Sequence, residues 1–234
     1  MKPFIHTALP TRVLFGRGRI ADVGLEAKRL GVERPLIIAS ARVAQLAGVL
    51  AATNGVHFAD AAMHTPVSVT ETAMAIVARE TCDGTIAIGG GSATGLGKAI
   101  AFRTDLPQMV LPTSYAGSEM TDILGETKDG AKTTTRNARI QPETVIYDAD
   151  LLNGLPSKLA ATSGMNAIAH AVEGLYAVDG NPLVSVMAEE GIRALATALP
   201  RGEVAHDDAM YGAWLCGMVP RRSAMRPAPN KGPS

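Results

Sequence analysis

The run from Thr85 to Lys98 constrains the fold more than any other part of the chain. Thr85-Ile86-Ala87-Ile88 is continuously apolar, as a fully buried strand requires. Gly89, Gly90 and Gly91 follow, and Ser92 to Lys98 reads as the start of a helix. A buried strand, a turn without side chains and a helix together commit this part of the chain to an α/β arrangement. The same geometry lets the backbone approach a ligand closely. The helix N-terminus behind the turn offers unpaired N–H groups and a partial positive charge, which suit a pyrophosphate. A tight strand-to-helix turn with no ligand has the same pattern, so the loop takes its meaning from what surrounds it.

Strands and helices alternate on both sides of this loop. Val13-Leu14-Phe15, Pro35 to Ala39, Val56 to Ala59 and Gln108 to Leu111 read as strands. Helical periodicity fills Ile20 to Leu30, where Gly31 stops it, and continues after the second strand to about Ala52. Ser68-Val69-Thr70-Glu71 has the form of a capping box opening a helix to about Thr81. Apolar strands between helices predict a parallel sheet covered on both faces. Asp129-Gly130, between Ile123–Thr127 and Lys132–Thr135, predicts a hairpin. After the strand Val145-Ile146-Tyr147 the pattern is helical over 157–176, 182–199 and 204–217. The expected organisation is an α/β domain over 1–155, a partial helical domain over 156–217 and a disordered tail over 218–234.

Composition narrows the function. The 234 residues are 47% hydrophobic and 19% charged with zero formal net charge, which recommends neither nucleic acid nor an anionic membrane as partner. Two cysteines, Cys82 and Cys216, stand far apart without metal-ligand spacing, as suits a reducing compartment. No apolar run reaches the length of a signal peptide or a membrane span, so a cytoplasmic protein is expected.

Two glycine motifs compete for a phosphate. Gly16-Arg17-Gly18-Arg19-Ile20-Ala21 matches G-x-G-x-x-A, but its second strand ends in Ala39-Ser40-Ala41 and lacks the acid that holds a ribose. The triple glycine is the better site. Pro112-Thr113-Ser114-Tyr115-Ala116-Gly117-Ser118-Glu119 follows a strand at its carboxyl end, where ligands of open α/β sheets bind; it also reads as a plain polar loop. Lys132, in the hairpin, suits a ribose hydroxyl or phosphate, or simply solvent. Asn166 and His170 are four apart on a helix and share a face. An Asp at the first position would make half a metal site, whereas Asn is a poor ligand and suits hydrogen bonding to a polar substrate. A buried structural histidine is the alternative.

As a set, several segments resemble those of maleylacetate reductases, a branch of the iron-containing alcohol dehydrogenase superfamily. They are Arg12–Gly18, His64-Thr65-Pro66-Val67, Gly89–Ser92, Pro112–Thr121 and Gly164–Glu173. The resemblance runs in order from about Pro10 to Gly217. Gly95, Asn166 and the Tyr115–Glu119 loop favour the reductase branch over the metal-dependent alcohol dehydrogenases. It implies a Rossmann-like dinucleotide-binding domain followed by an incomplete all-helical domain. It also implies NADH- or NADPH-dependent reduction of maleylacetate to 3-oxoadipate without a metal, in a homodimer when complete. The implied catalytic residues are His170, Asn166 and Tyr115. The implied cofactor residues are Ser40, Gly89, Gly90, Gly91, Ser92, Thr113, Ser114, Ser118 and Lys132. Metal-dependent alcohol or glycerol dehydrogenase, dehydroquinate-synthase-like lyase and non-catalytic nucleotide-binding fragment are the competing readings.

Members of that branch continue well past Ala213–Gly217 with a histidine-rich helical region, whereas this chain turns to Pro220-Arg221-Arg222 and an acid-free stretch. Truncation or frameshift after about residue 217 is therefore expected. It would leave Leu159, Ile168, Val172, Leu175, Met210, Trp214 and Leu215 without cover.

Overall fold

A computed structural model describes residues 3–8, 10–43, 45–177 and 180–219. Six parallel strands form one sheet in the order β1-β8-β5-β4-β2-β3. They are β1 (Arg12–Phe15), β2 (Pro35–Ala39), β3 (Val56–Phe58), β4 (Gly84–Gly89), β5 (Gln108–Pro112) and β8 (Thr144–Tyr147). Every residue of β2, β5 and β8 is buried, as two covered faces demand.

Alternation along the strands divides the core in two. Ile37, Ile86, Ile88 and Met109 pack with Val23 and Ala27 of α1 (Val23–Arg29) and with Leu46 and Val49 of α2 (Leu46–Thr53). Leu36, Ile38, Ala87 and Val110 point the other way. They meet Ala73 and Val77 of α3 (Val67–Arg79) and Leu96 and Ile100 of α4 (Gly91–Thr104). Each fully buried Ile or Leu contributes about 1.5–3 kcal/mol, so a one-residue slip of any central strand is prohibitive. Strands β2 and β4 are neighbours, yet α2 leaves on one face toward β3 while α4 leaves on the other toward β5. That divergence opens a crevice at their carboxyl ends.

The antiparallel hairpin β6 (Ile123–Lys128) and β7 (Ala131–Arg136) turns at Asp129 and Gly130 as expected, both with positive φ (50° and 77°). The helical part comprises α5 (Ser157–Leu175), α6 (Pro182–Ala198) and α7 (His206–Met218).

The structure corrects the sequence reading in three places. The Ser68–Glu71 capping box does not form: α3 is capped by Pro66 without a side-chain hydrogen bond, and Ser68 lies inside the first turn. A parallel bridge from Pro66 to Thr127 of the hairpin fixes the backbone there, and the helix starts two residues early. The expected tail begins too soon, because Met218 still belongs to α7 and Val219 is buried; residues 220–234 lie outside the described residues. The uncovered apolar surface also differs. Leu159, Val172 and Leu175 are exposed, but Met210 is buried and Ile168, Trp214 and Leu215 are half-buried. Trp214 packs against Phe15, Tyr147 and Tyr211 in tilted and edge-on contacts, because α7 crosses the carboxyl ends of β1 and β8.

Candidate functional site

A cleft of about 640 Å³ lies over the carboxyl ends of β4 and β5. Its floor is the glycine loop. Gly89 closes β4, Gly90 adopts an extended conformation (φ −82°, ψ −157°), and α4 begins at Gly91 with no side chain capping it. Thr94 N donates to Gly90 O, which leaves the N–H groups of the first turn ahead of it without an intrahelical acceptor. Their natural partner is an anion in the cleft. Thr113 N donates to Gly89 O, and the Ser114 hydroxyl lies 3.2 Å from where a Cβ on Gly90 would stand. The two loops are thereby fitted closely together, and a side chain at Gly90 would press on Ser114.

The competing motif is already filled. The buried Asp148 carboxylate accepts from Gly18 N at 3.0 Å and Ile20 N at 2.9 Å, and also from Asp150 N. A phosphate at Gly16-Arg17-Gly18 would have to displace a fixed negative charge, so this turn is structural.

Three further walls complete the cleft. His64 and Thr65 both adopt positive φ (63° and 46°), a strained pair held by Thr65 N to Ala62 O and Thr127 N to Thr65 O. They press onto α4 at Gly95, where a Cβ would run into the Thr65 hydroxyl. The hairpin forms the second wall and carries the exposed Lys132, whose aliphatic stem lies over Gly125. Helix α5 forms the third with Leu159 and Asn166.

Of the residues expected from sequence, Gly90, Gly91, Ser92, Thr113, Ser114, Ser118, Lys132 and Asn166 meet around this cleft. Gly89 lies directly beneath it. Ser40 does not line it; the residue is exposed just past β2, with its hydroxyl accepting from Arg42 N. His170 is half-buried one turn beyond Asn166, with Nδ1 3.4 Å from Glu173 Oε2.

Tyr115 requires correction. Its side chain is 2% exposed and its hydroxyl lies 2.5 Å from His206 Nδ1, in the core and not in the cleft. Burial, aided by Asp207, pushes the phenol up to about 12, which makes it a poor proton donor near neutral pH. The Tyr115 ring turns inward because the core offers it apolar cover.

Sequence reading missed two buried polar centres. Lys98, 1% exposed, donates to the carbonyls of Ser118, Thr121 and Ile123 and to the Thr121 hydroxyl, tying the 118–123 segment to α4. A lysine set between Leu96 and Ile100, beside the apolar run Ala99 to Phe102, was the available signal. Tyr147 donates to Glu119 at 2.7 Å; burial first, then the Glu119 charge, raises its phenol well above the ordinary value.

The family model for iron-containing alcohol dehydrogenase matches residues 10–149, and that for the C-terminal region of the Fe-containing alcohol dehydrogenase family matches 160–222. The chain belongs to the iron-containing alcohol dehydrogenase family. A maleylacetate reductase from Rhizobium sp. (strain MTP-10005) is 51% identical over 229 residues, covering 94% of this chain and 65% of that protein. One from Sphingobium indicum is 48% identical over 92% of this chain and 64% of its own length. The chain thus spans just under two thirds of these relatives. The crystal structure of maleylacetate reductase from Agrobacterium tumefaciens superposes with a TM-score of 0.89 at 49% identity, over 94% of this chain and 65% of that one. Sulfoacetaldehyde reductase from Bifidobacterium kashiwanohense, solved with NAD+, shares the fold at 22% identity and TM-score 0.87, over 94% of this chain and 67% of its own.

The family name implies iron. Among the described residues no three His, Cys, Asp or Glu side chains converge. Asn166 presents a neutral amide at the cleft, and the next helical turn holds His170 beside Glu173. These residues do not fit an iron centre.

Proposed function

We propose that this chain belongs to an NADH- or NADPH-dependent reductase of the maleylacetate C=C bond, working without a metal. The observation that carries the reading is the 51% identity with a maleylacetate reductase over 94% of the chain. The open glycine loop, with an uncapped helix behind it, supports the cofactor half of the reading. The neutral Asn166 at the cleft supports the metal-free half.

When bound, the reduced nicotinamide supplies a hydride. The substrate is an enone flanked by carboxylates. Hydride adds at the alkene carbon β to the ketone, negative charge builds on the ketone oxygen, and protonation at the α carbon completes the saturated product. The chain's part is to hold the reactants and to place donors at the developing enolate. The N–H groups at the start of α4 bind the pyrophosphate, and Thr113, Ser114 and Ser118 orient what lies beyond it. The Asn166 amide and the His170 imidazole, on one face of α5, donate to the enolate or to a substrate carboxylate. Past β2 there is Ser40-Ala41-Arg42 in place of an acid, so no carboxylate on that strand end repels a 2′-phosphate, and acceptance of both NADH and NADPH follows.

Titration of the 234-residue chain with NADH, beside loss of NADH absorbance on adding maleylacetate, tests the reading. NADH binding with turnover supports all of it. NADH binding without turnover reduces it to a nucleotide-binding unit, and no NADH binding overturns it.

A further inference from the structure

The Thr113–Ser118 loop is fastened to the helical part of the molecule from three directions. Tyr115 N donates to the Ser163 hydroxyl on α5 at 3.2 Å. The Tyr115 hydroxyl meets His206 Nδ1 at the first residue of α7, at 2.5 Å. Gly117 lies directly on Gly217 of α7, where a Cβ would come within 2.6 Å of the Gly117 carbonyl. Ser163 is three residues before Asn166 on the same helix, so this joint sets the distance between the loop hydroxyls and the α5 wall of the cleft. From the geometry we infer that Tyr115 and His206 are positioning residues, acting as a strut that holds the loop hydroxyls against the nicotinamide half of the cofactor.

The inference rests on the cofactor reading above. In that reading the strand order β2-β4-β5 places adenosine past β2, pyrophosphate on the glycine loop past β4 and nicotinamide past β5, where this loop begins. The strut acts on the last of these and not on the first. With its proton on Nε2, neutral His206 accepts the Tyr115 hydroxyl proton at Nδ1; Nε2 faces the Leu152 backbone without a well-formed hydrogen bond. On protonation Nδ1–H donates to the phenol oxygen instead, which reverses the bond and leaves the phenol proton without its Nδ1 acceptor. The charged groups around His206 are Glu203, Asp207 and Arg17, and burial, the largest influence, disfavours the imidazolium.

The test uses the whole chain, with Tyr115→Phe, His206→Leu and His206→Asn, titrated with NADH and separately with 5′-AMP. Tyr115→Phe and His206→Leu are expected to weaken NADH by at least about fivefold, the equivalent of one hydrogen bond, while 5′-AMP affinity stays within about twofold. His206→Asn, whose side-chain oxygen stands near the Nδ1 position, is expected to restore NADH affinity. It is also expected to hold its NADH affinity further into acid than the parent, in which burial delays protonation of His206 to below the ordinary imidazole range. Parent-like NADH affinity in Tyr115→Phe overturns the inference. So does equal loss of NADH and 5′-AMP, the mark of a merely destabilised fold. A parent that binds neither ligand overturns the cofactor reading itself, and the inference with it.

Discussion

At the residue scale, the cleft depends on side chains that are missing as much as on those present. At Gly90 a β-branched side chain would press on Ser114 and stand over the uncapped start of α4. Gly90→Val is therefore expected to weaken NADH binding by at least about tenfold, or about 1.4 kcal/mol, with little change in secondary structure; fluorescence titration and circular dichroism measure both. His206 gives a second expectation. Burial lowers its pKa from 6.5, so the folded state prefers the neutral ring and the unfolded state takes up the proton first. The stability that follows is fully present above about pH 6.5 and is lost as pH falls from there through the folded value. Urea midpoints between pH 7.5 and 5.5 are expected to fall further in the parent than in His206→Asn, and parallel curves would contradict this.

At the element scale, the two glycine turns look alike in sequence and differ in what fills them. The turn after β1 is satisfied internally by Asp148, at the end of β8, across a strand pair in register from Arg12–Thr144 to Phe15–Tyr147. The turn after β4 has no such partner. Asp148→Ala is expected to cost about 1–3 kcal/mol through the buried N–H groups it orphans, while leaving NADH affinity within about twofold. Denaturant unfolding with a parallel titration separates the two effects. A large loss of NADH affinity in a folded Asp148→Ala would return the first turn to the cofactor site.

At the scale of the whole molecule, α5 and α6 present an apolar outer surface. Leu159, Met165, Val172, Leu175, Tyr176, Leu183 and Val186 are each between 38% and 73% exposed. Apolar patches of this kind drive association in water. The 234-residue chain is expected to self-associate with rising concentration, and sedimentation velocity is the measurement. Val172→Glu with Val186→Glu on that surface is expected to shift the population toward monomer. A concentration-independent monomer in the parent would show that the surface is tolerated.

The sequence by itself determined what local pattern determines. Continuous apolar runs fixed the strands, their parity fixed which residue faces which helix layer, and Asp129-Gly130 fixed the hairpin turn. The triple glycine was legible as a strand-to-helix turn at the carboxyl edge of the sheet, and the 113–118 loop from its place after a strand; the two line one cleft. Only the tertiary structure decided where charges and rings point. Asp148 closes one glycine turn from 130 residues away, His206 claims Tyr115 from 91 away, and Lys98 gathers carbonyls 20 to 25 residues on. Each outcome turns on the cost of burying a polar group without a partner, and the partner in each case is brought by the fold rather than by neighbours in the chain. Hydrophobic periodicity is written locally and can be read locally. The satisfaction of buried polar groups is a property of the whole molecule.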